Sequence, residues 1–263
     1  MWRAKLARPR PMVRGFACTL STCLCVAVWP GAALAYRPFD GTDAAVADQG
    51  ELEIEFQPAG VRRDNGQKTL VAPATVVNYG FYANWELVLE GQLETPFSPS
   101  GPSVLTANGA FLKHVVREGV LQDKAGPSVA TEFGLLLPDS DGSNQLGASF
   151  AGIVSQRFDW GTIHLNGEAA LTRDHNADFF LGAIVEGPIK WKVRPVAEFF
   201  FEEEINATRT VSGLLGAIWQ VNDKLSFDVG FREALTNGHP VSEIRAGFTV
   251  GFAPHLSGAG PKP

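Results

Sequence analysis

From Trp85 to Glu94 the chain reads WELVLEGQLE. Trp85, Leu87, Leu89 and Leu93 fall on one face, and Glu86, Glu90, Gln92 and Glu94 on the other. Successive strand residues point to opposite sides, so a strict period of two specifies a strand with one apolar and one wet face. The pattern recurs in 51–56, 163–172, 190–202, 225–232 and 242–252, where large apolar residues alternate with charged or polar ones. No helix-period segment of comparable quality occurs. Weaker alternation over 69–82, 103–115, 128–137, 146–157, 177–187 and 209–221 brings the expected count to about twelve strands, with about 10–14 compatible.

Alternation alone fits soluble sandwiches and lipocalin-like barrels as well. The apolar faces here stay free of charge over eight or more positions, close to the ~9–11 residues that a tilted membrane-spanning strand needs. Trp85, Trp160, Trp191 and Trp219 each lie at or near one of four tight turns, Ala83-Asn84, Phe158-Asp159, Gly187-Pro188 and Asn222-Asp223. Indole favours the membrane–water interface, so the four are expected to form an interface belt. The other connections, among them VRRDNGQK and LTNGHP, read as longer polar loops. Short turns at one end and longer loops at the other describe an all-β, up-and-down antiparallel transmembrane barrel with both termini in the periplasm. Its polar face then lines a lumen. The expected lumen-facing residues are Glu86, Glu90, Glu94, Glu132, Glu168, Lys192, Arg194, Glu198, Glu202, Asp228, Arg232 and Arg245.

The first 35 residues carry Arg3, Lys5, Arg8, Arg10 and Arg14, no acidic residue, an apolar stretch from Gly15 to Trp29, and Ala33-Leu34-Ala35. A charged start, an apolar middle and a small-residue end describe a signal peptide cleaved after Ala35. The expected division is a signal peptide over 1–35, a periplasmic N-terminal segment over 36–50, the barrel over 51–252 and a periplasmic tail over 253–263. Removing five basic residues from a chain of net charge −6 leaves −11, and all three cysteines leave with the leader. That charge argues against nucleic-acid binding. The expected location is the outer membrane of a Gram-negative cell, with lipid and the barrel-assembly machinery as partners.

The opening YRPFDGTDAAVADQGELEIE, together with FLKHVVREG and GPSVATEFGLLLP, resembles the outer-membrane proteins grouped as the MetA-pathway of phenol degradation family. These begin with a proline-containing, Asp/Thr-rich segment running into a Glu-rich first strand. The resemblance covers most of the chain after the leader, through short motifs. It implies an outer-membrane β-barrel concerned with uptake of aromatic or other hydrophobic compounds, and it carries over no binding residues.

No G-x-S-x-G, HExxH, Walker or dinucleotide glycine pattern occurs, so no catalytic residue, metal or cofactor is expected. Ser155, His164 and Asn166 could be imagined as a hydrolase site, which requires all three within hydrogen-bond reach. His175 and His239 fall in polar loops, and Glu202-Glu203-Glu204 reads as a solvated strand end. Asp40, Asp43 and Asp48 lack the spacing of a calcium loop, so 38–50 reads as a periplasmic strap or as a plug reaching into the lumen. The expected function is passage or binding of a small solute, hydrophobic or aromatic in class, through a charged lumen. A periplasmic soluble binding barrel and a structural outer-membrane barrel without transport are the alternatives.

Overall fold

The computed structural model describes residues 37–140, 142 and 145–253; the expected leader 1–35 and all but the first residue of the tail lie outside the described residues. Twelve strands follow in order: β1 (Leu52–Asp64), β2 (Gln67–Tyr82), β3 (Trp85–Ser98), β4 (Val104–Arg117), β5 (Ser128–Leu136), β6 (Gly147–Phe158), β7 (Gly161–Leu171), β8 (Ala177–Glu186), β9 (Val193–Glu204), β10 (Thr208–Asn222), β11 (Leu225–Thr236) and β12 (His239–Phe252). Each pairs antiparallel with its sequence neighbours, and β12 pairs back onto β1 to close the barrel. The shortest strand has 9 residues and the longest 16. At ~3.3 Å per residue even the shortest meets the length of a tilted spanning strand. Pro58 and Pro73, which lack an N–H for the ladder, sit where the register of β1 with β12 and of β2 with β3 shifts.

Burial is inverted relative to a water-soluble domain. Inside the barrel, Glu55, Gln57, Glu86, Lys113, Arg194 and Glu198 are all 4% exposed or less. Outside it, Leu215, Phe199, Leu181 and Ile244 are more than half exposed. An apolar exterior around a charged interior is the pattern of a barrel set in lipid.

The expected contrast between tight turns and long loops does not hold. The loops around VRRDNGQK and LTNGHP are two-residue turns, Asn65-Gly66 and Asn237-Gly238, and the strands run up to them. Both residues of each turn have positive φ, at 43° and 89° and at 50° and 81°. This is the Asn-Gly hairpin geometry that matches strand twist, and it turns apparent loop sequence into strand. The turn expected at Gly187-Pro188 instead spans 187–192, so Lys192 lies in an exposed turn before β9 and not on a strand facing the interior. The connection 118–127, at the end with the tight turns, holds a 3-10 turn at Val120–Gln122.

Candidate functional site inside the barrel

The interior is occupied by the chain's own residues 37–50. The segment leaves the start of β1 with Gly50 N–H donating to Gly80 O at 2.6 Å. It then circles the inner wall, each turn of backbone held by a polar side chain. Ala47 N–H donates to Glu86 of β3 at 2.5 Å, and Lys113 of β4 reaches Thr42 Oγ1 at 3.1 Å. Ala44 N–H donates to Ser155 Oγ of β6 at 2.9 Å. Thr42 exchanges two bonds with Asn166 of β7, at 2.9 and 2.8 Å. Asp40 and Gly41 N–H both donate to the Glu198 carboxylate of β9, at 2.9 and 2.7 Å. Arg245 of β12 grips the Asp40 carboxylate at 2.7 and 3.3 Å, and Arg232 of β11 stands 3.8 Å away. Arg37 ends the circuit between Asp228 at 3.4 Å and Gln57 at 2.7 Å.

Backbone amides taken out of water need acceptors, and carboxylates supply the stronger, charge-assisted ones. The segment has no regular structure of its own, so the wall provides those acceptors. Close approach demands small residues. A Cβ on Gly41 would lie 3.1 Å from Glu198 Oε1, and one on Gly80 would lie 2.2 Å from Asp48 O. Beside the segment, a cavity of about 50 Å³ is lined by Asp43, Asp48, Glu51, Glu53, Glu86 and Lys113, among others. It has room for water, not for an organic solute.

Toward the far end, away from the termini, the inward residues are less buried than those on the segment and are divided by charge. Lys113, Glu132, Ala151, Glu168, Phe180 and Glu202 are successive register partners on β4 to β9. Strands tilt in a barrel, so such a row climbs as it goes round. Three carboxylates on alternate strands therefore rise from the inner segment toward the rim, with exposed Glu90 of β3 facing the same space. The opposite wall is cationic but paired: Arg232 with Glu243 at 3.5 Å, Arg245 with Glu243 at 3.8 Å, and Arg62 with Glu94 at 3.0 Å. Phe180 and Phe200 lie 5.0 Å apart between the walls, with the Arg232 guanidinium 5.4 Å above the Phe200 ring.

Of the residues singled out from sequence, Glu86, Glu198, Asp228, Arg232 and Arg245 meet on the segment. Glu90, Glu132, Glu168 and Glu202 face the interior beyond the segment, and Glu94 is tied to Arg62. Arg194 pairs with Glu186 at 3.3 Å instead of the segment. Lys113, Glu53, Glu55, Gln57 and Arg62 also face the interior, and the same alternation would have indicated them. Ser155 and His164 do meet, Oγ to Nδ1 at 2.8 Å, but Ser155 is wholly buried under Ala44 and Asn166 is engaged by Thr42. The imagined Ser–His–Asn site is thus not assembled: Ser155 and Asn166 hold backbone, and His164 lies between Ser155 and Glu186, its Nε2 3.6 Å from the carboxylate. Among the described residues no three acidic or histidine side chains converge to hold a metal ion. The four tryptophans ring the outside at the terminal end. Trp160, Trp191 and Trp219 are more than half exposed, and Trp85 stacks on His114 at 4.1 Å.

Asp40 is the segment's electrostatic anchor. Burial pushes its carboxyl up, but Arg245 and then Arg232 outweigh this and hold it below its ordinary 3.8. A carboxyl lowered in the folded state adds stability above its unfolded value and loses it as pH falls through the lowered value. The Asp40 anchor should therefore survive mild acid and fail only below pH 3.8. Thiol labelling of an Ala45→Cys variant between about pH 3 and pH 7 checks this. Asp40→Asn should label faster at neutral pH and lose the step in strong acid; an unchanged profile would assign the anchor elsewhere.

A closed twelve-stranded antiparallel barrel with an apolar exterior and a charged interior has the architecture of an outer-membrane β-barrel. No protein-family model matches the sequence, and no curated protein sequence matches it either. Solved structures do. The COG4313 outer membrane channel from Pseudomonas putida F1 superposes with a TM-score of 0.55 at 10% identity, over 81% of this chain and 100% of its own. KdgM porin superposes with a TM-score of 0.50 at 8% identity, over 75% of this chain and 98% of its own, and is also known in complex with disordered oligogalacturonate. At such identities the likeness shows the fold alone. The resemblance to the phenol-degradation family is thus matched at the coarser level of the barrel fold, not at the level of that family.

Proposed function

We propose that this chain is an outer-membrane channel that passes small solutes through a charged, cation-favouring lumen, and that residues 37–50 plug it in the resting state. The observation that carries the reading is the contrast along the interior. The terminal half is filled by backbone bonded to Glu86, Ser155, Asn166 and Glu198, while beyond it the half-buried carboxylates Glu132, Glu168 and Glu202 rise along one wall toward exposed Glu90. A carboxylate-lined passage concentrates cations and repels anions. Phe180 and Phe200 add an apolar step in the same passage, which supports an aromatic or otherwise partly apolar cargo, as the family resemblance also implies. The segment is bound through hydrogen bonds and ion pairs, without covalent linkage, so it can leave as a unit.

Planar-bilayer recording tests this. The native chain is expected to conduct little, and a variant lacking residues 38–49 to conduct strongly with cations preferred. Combining that deletion with Glu132→Gln, Glu168→Gln and Glu202→Gln should bring the cation-to-anion permeability ratio toward unity. Silence from a deletion variant that still shows a heat-dependent gel shift would sink the channel reading. Unchanged selectivity in the triple variant would remove the carboxylate row from the pathway.

A further inference from the structure

On the outer surface near the far end, one row of register partners crosses five strands. Glu233 of β11 faces Ser242 of β12, Ser242 faces Arg63 of β1, Arg63 faces Lys68 of β2, and Lys68 faces Ser98 of β3. Alternation turns this row outward. Its chain neighbours Arg62, bonded to Glu94, and Thr69, which is buried, hold the inward positions. Arg63 and Lys68 are exposed, and among the described residues no carboxylate pairs with either. Glu233, two strands from Arg63, accepts a hydrogen bond from Ser242 Oγ at 3.0 Å. The other outward basic residue of this rim, Arg209, is neutralised by Glu203 at 2.6 Å.

Two like charges directly opposed across a strand pair repel each other and weaken the pairing. Strands are ~4.8 Å apart, so the two head groups can close on one small anion. Arginine offers a planar fork that fits a phosphate and lysine a compact point charge. The next outward row toward the barrel's middle is apolar: Phe231, Ile244, Val61 and Leu70 are register partners in that order, all exposed. Cations directly above an apolar strip, with serine hydroxyls on either side, match an amphiphile that has a phosphate on a polar head and acyl chains beneath.

We propose that Arg63 and Lys68 bind the phosphate of a phosphorylated glycolipid whose acyl chains lie along Phe231, Ile244, Val61 and Leu70. The proposal rests on the membrane reading above. With the termini in the periplasm, the far end lies in the outer leaflet, where the phosphorylated lipid is a glycolipid and not a phospholipid. The site lies outside the lumen, so it is independent of conduction and of the plug.

Native mass spectrometry of the full-length protein in detergent tests it, with four probes: diphosphorylated lipid A, its dephosphorylated form, phosphatidylglycerol and inorganic phosphate. The native chain should retain lipid A, and Arg63→Gln/Lys68→Gln should weaken retention about tenfold or more, from two lost surface charges. Arg209→Gln should bind as the native chain does. Equal retention by the double variant would overturn the proposal, as would equal binding of the dephosphorylated form or of phosphatidylglycerol. Occupancy of the site by inorganic phosphate in place of the lipid would also overturn it. Should the double variant lack the heat-dependent gel shift of a folded barrel, Lys68→Gln alone and a salt titration of the native complex decide, since binding through this pair must weaken with salt. A protein that stays soluble without detergent would sink the membrane reading itself. Indifference among the lipids in a detergent-requiring barrel would sink only the lipid site.

Discussion

Glu198→Ala is expected to raise the open fraction of the channel roughly a hundredfold. The Glu198 carboxylate accepts two backbone N–H groups, from Asp40 at 2.9 Å and Gly41 at 2.7 Å. Hydrogen bonds to a charged group contribute about 1.5–3 kcal/mol each, and amides stripped of their acceptor inside the barrel add their own desolvation cost. Losing both costs about 3 kcal/mol, and 1.4 kcal/mol is tenfold in a two-state equilibrium, hence about two orders of magnitude in the displaced population. Glu198→Gln keeps an oxygen acceptor and should fall between. Two readouts bear on this: single-channel open probability, and the rate at which a thiol reagent labels Ala45→Cys in each background. If both match the native values, Glu198 does not hold the plug and the displaced state has another origin.

That residue also shows where sequence reading stops. The alternation in 190–202 puts Glu198 on the wet face of a strand, and the closed barrel then turns that face inward. What the pattern does not contain is the partner, a backbone 157 and 158 positions earlier in the chain. Strand periodicity reports which side of a sheet a residue occupies, since the side follows from local geometry. Whether an inward carboxylate meets water, as Glu90 does, or a coiled segment, as Glu86 does, depends on a stretch with no periodicity of its own. Gly41, Ala44, Ala45 and Ala47 do mark that stretch as narrow enough to fit inside, and its own Asp40 and Asp43 offer counter-charges to Arg245 and Lys113. Asn-Gly is the signal that decides both far-end hairpins. Polar composition near Asn65 and Asn237 resembles a loop, whereas positive φ at two consecutive residues makes a turn of two and lets the strands continue.

The exterior makes the sharpest test of the solvent around the barrel. Leu215 stands at the middle of β10, 69% exposed, with its neighbours Phe199 of β9 and Phe231 of β11 also facing out. In a barrel surrounded by water, placing Arg there would remove an exposed apolar side chain and change stability by no more than about 0.5 kcal/mol, in either direction. In lipid the same change puts a guanidinium at the bilayer midplane, where it costs about 2–4 kcal/mol. Reversible folding into phospholipid vesicles, followed by the heat-dependent gel shift, separates the two cases. Leu215→Arg is expected to lower folding stability by that amount, with a cost falling nearly to zero for Val221→Arg close to the turn, where the side chain can reach the interface. Since Arg at either site leaves the interior untouched, a depth-dependent cost is a property of the surrounding medium alone. Equal and small effects at both positions would return the chain to the soluble periplasmic barrel, and with it would fall the channel, its plug and the lipid site.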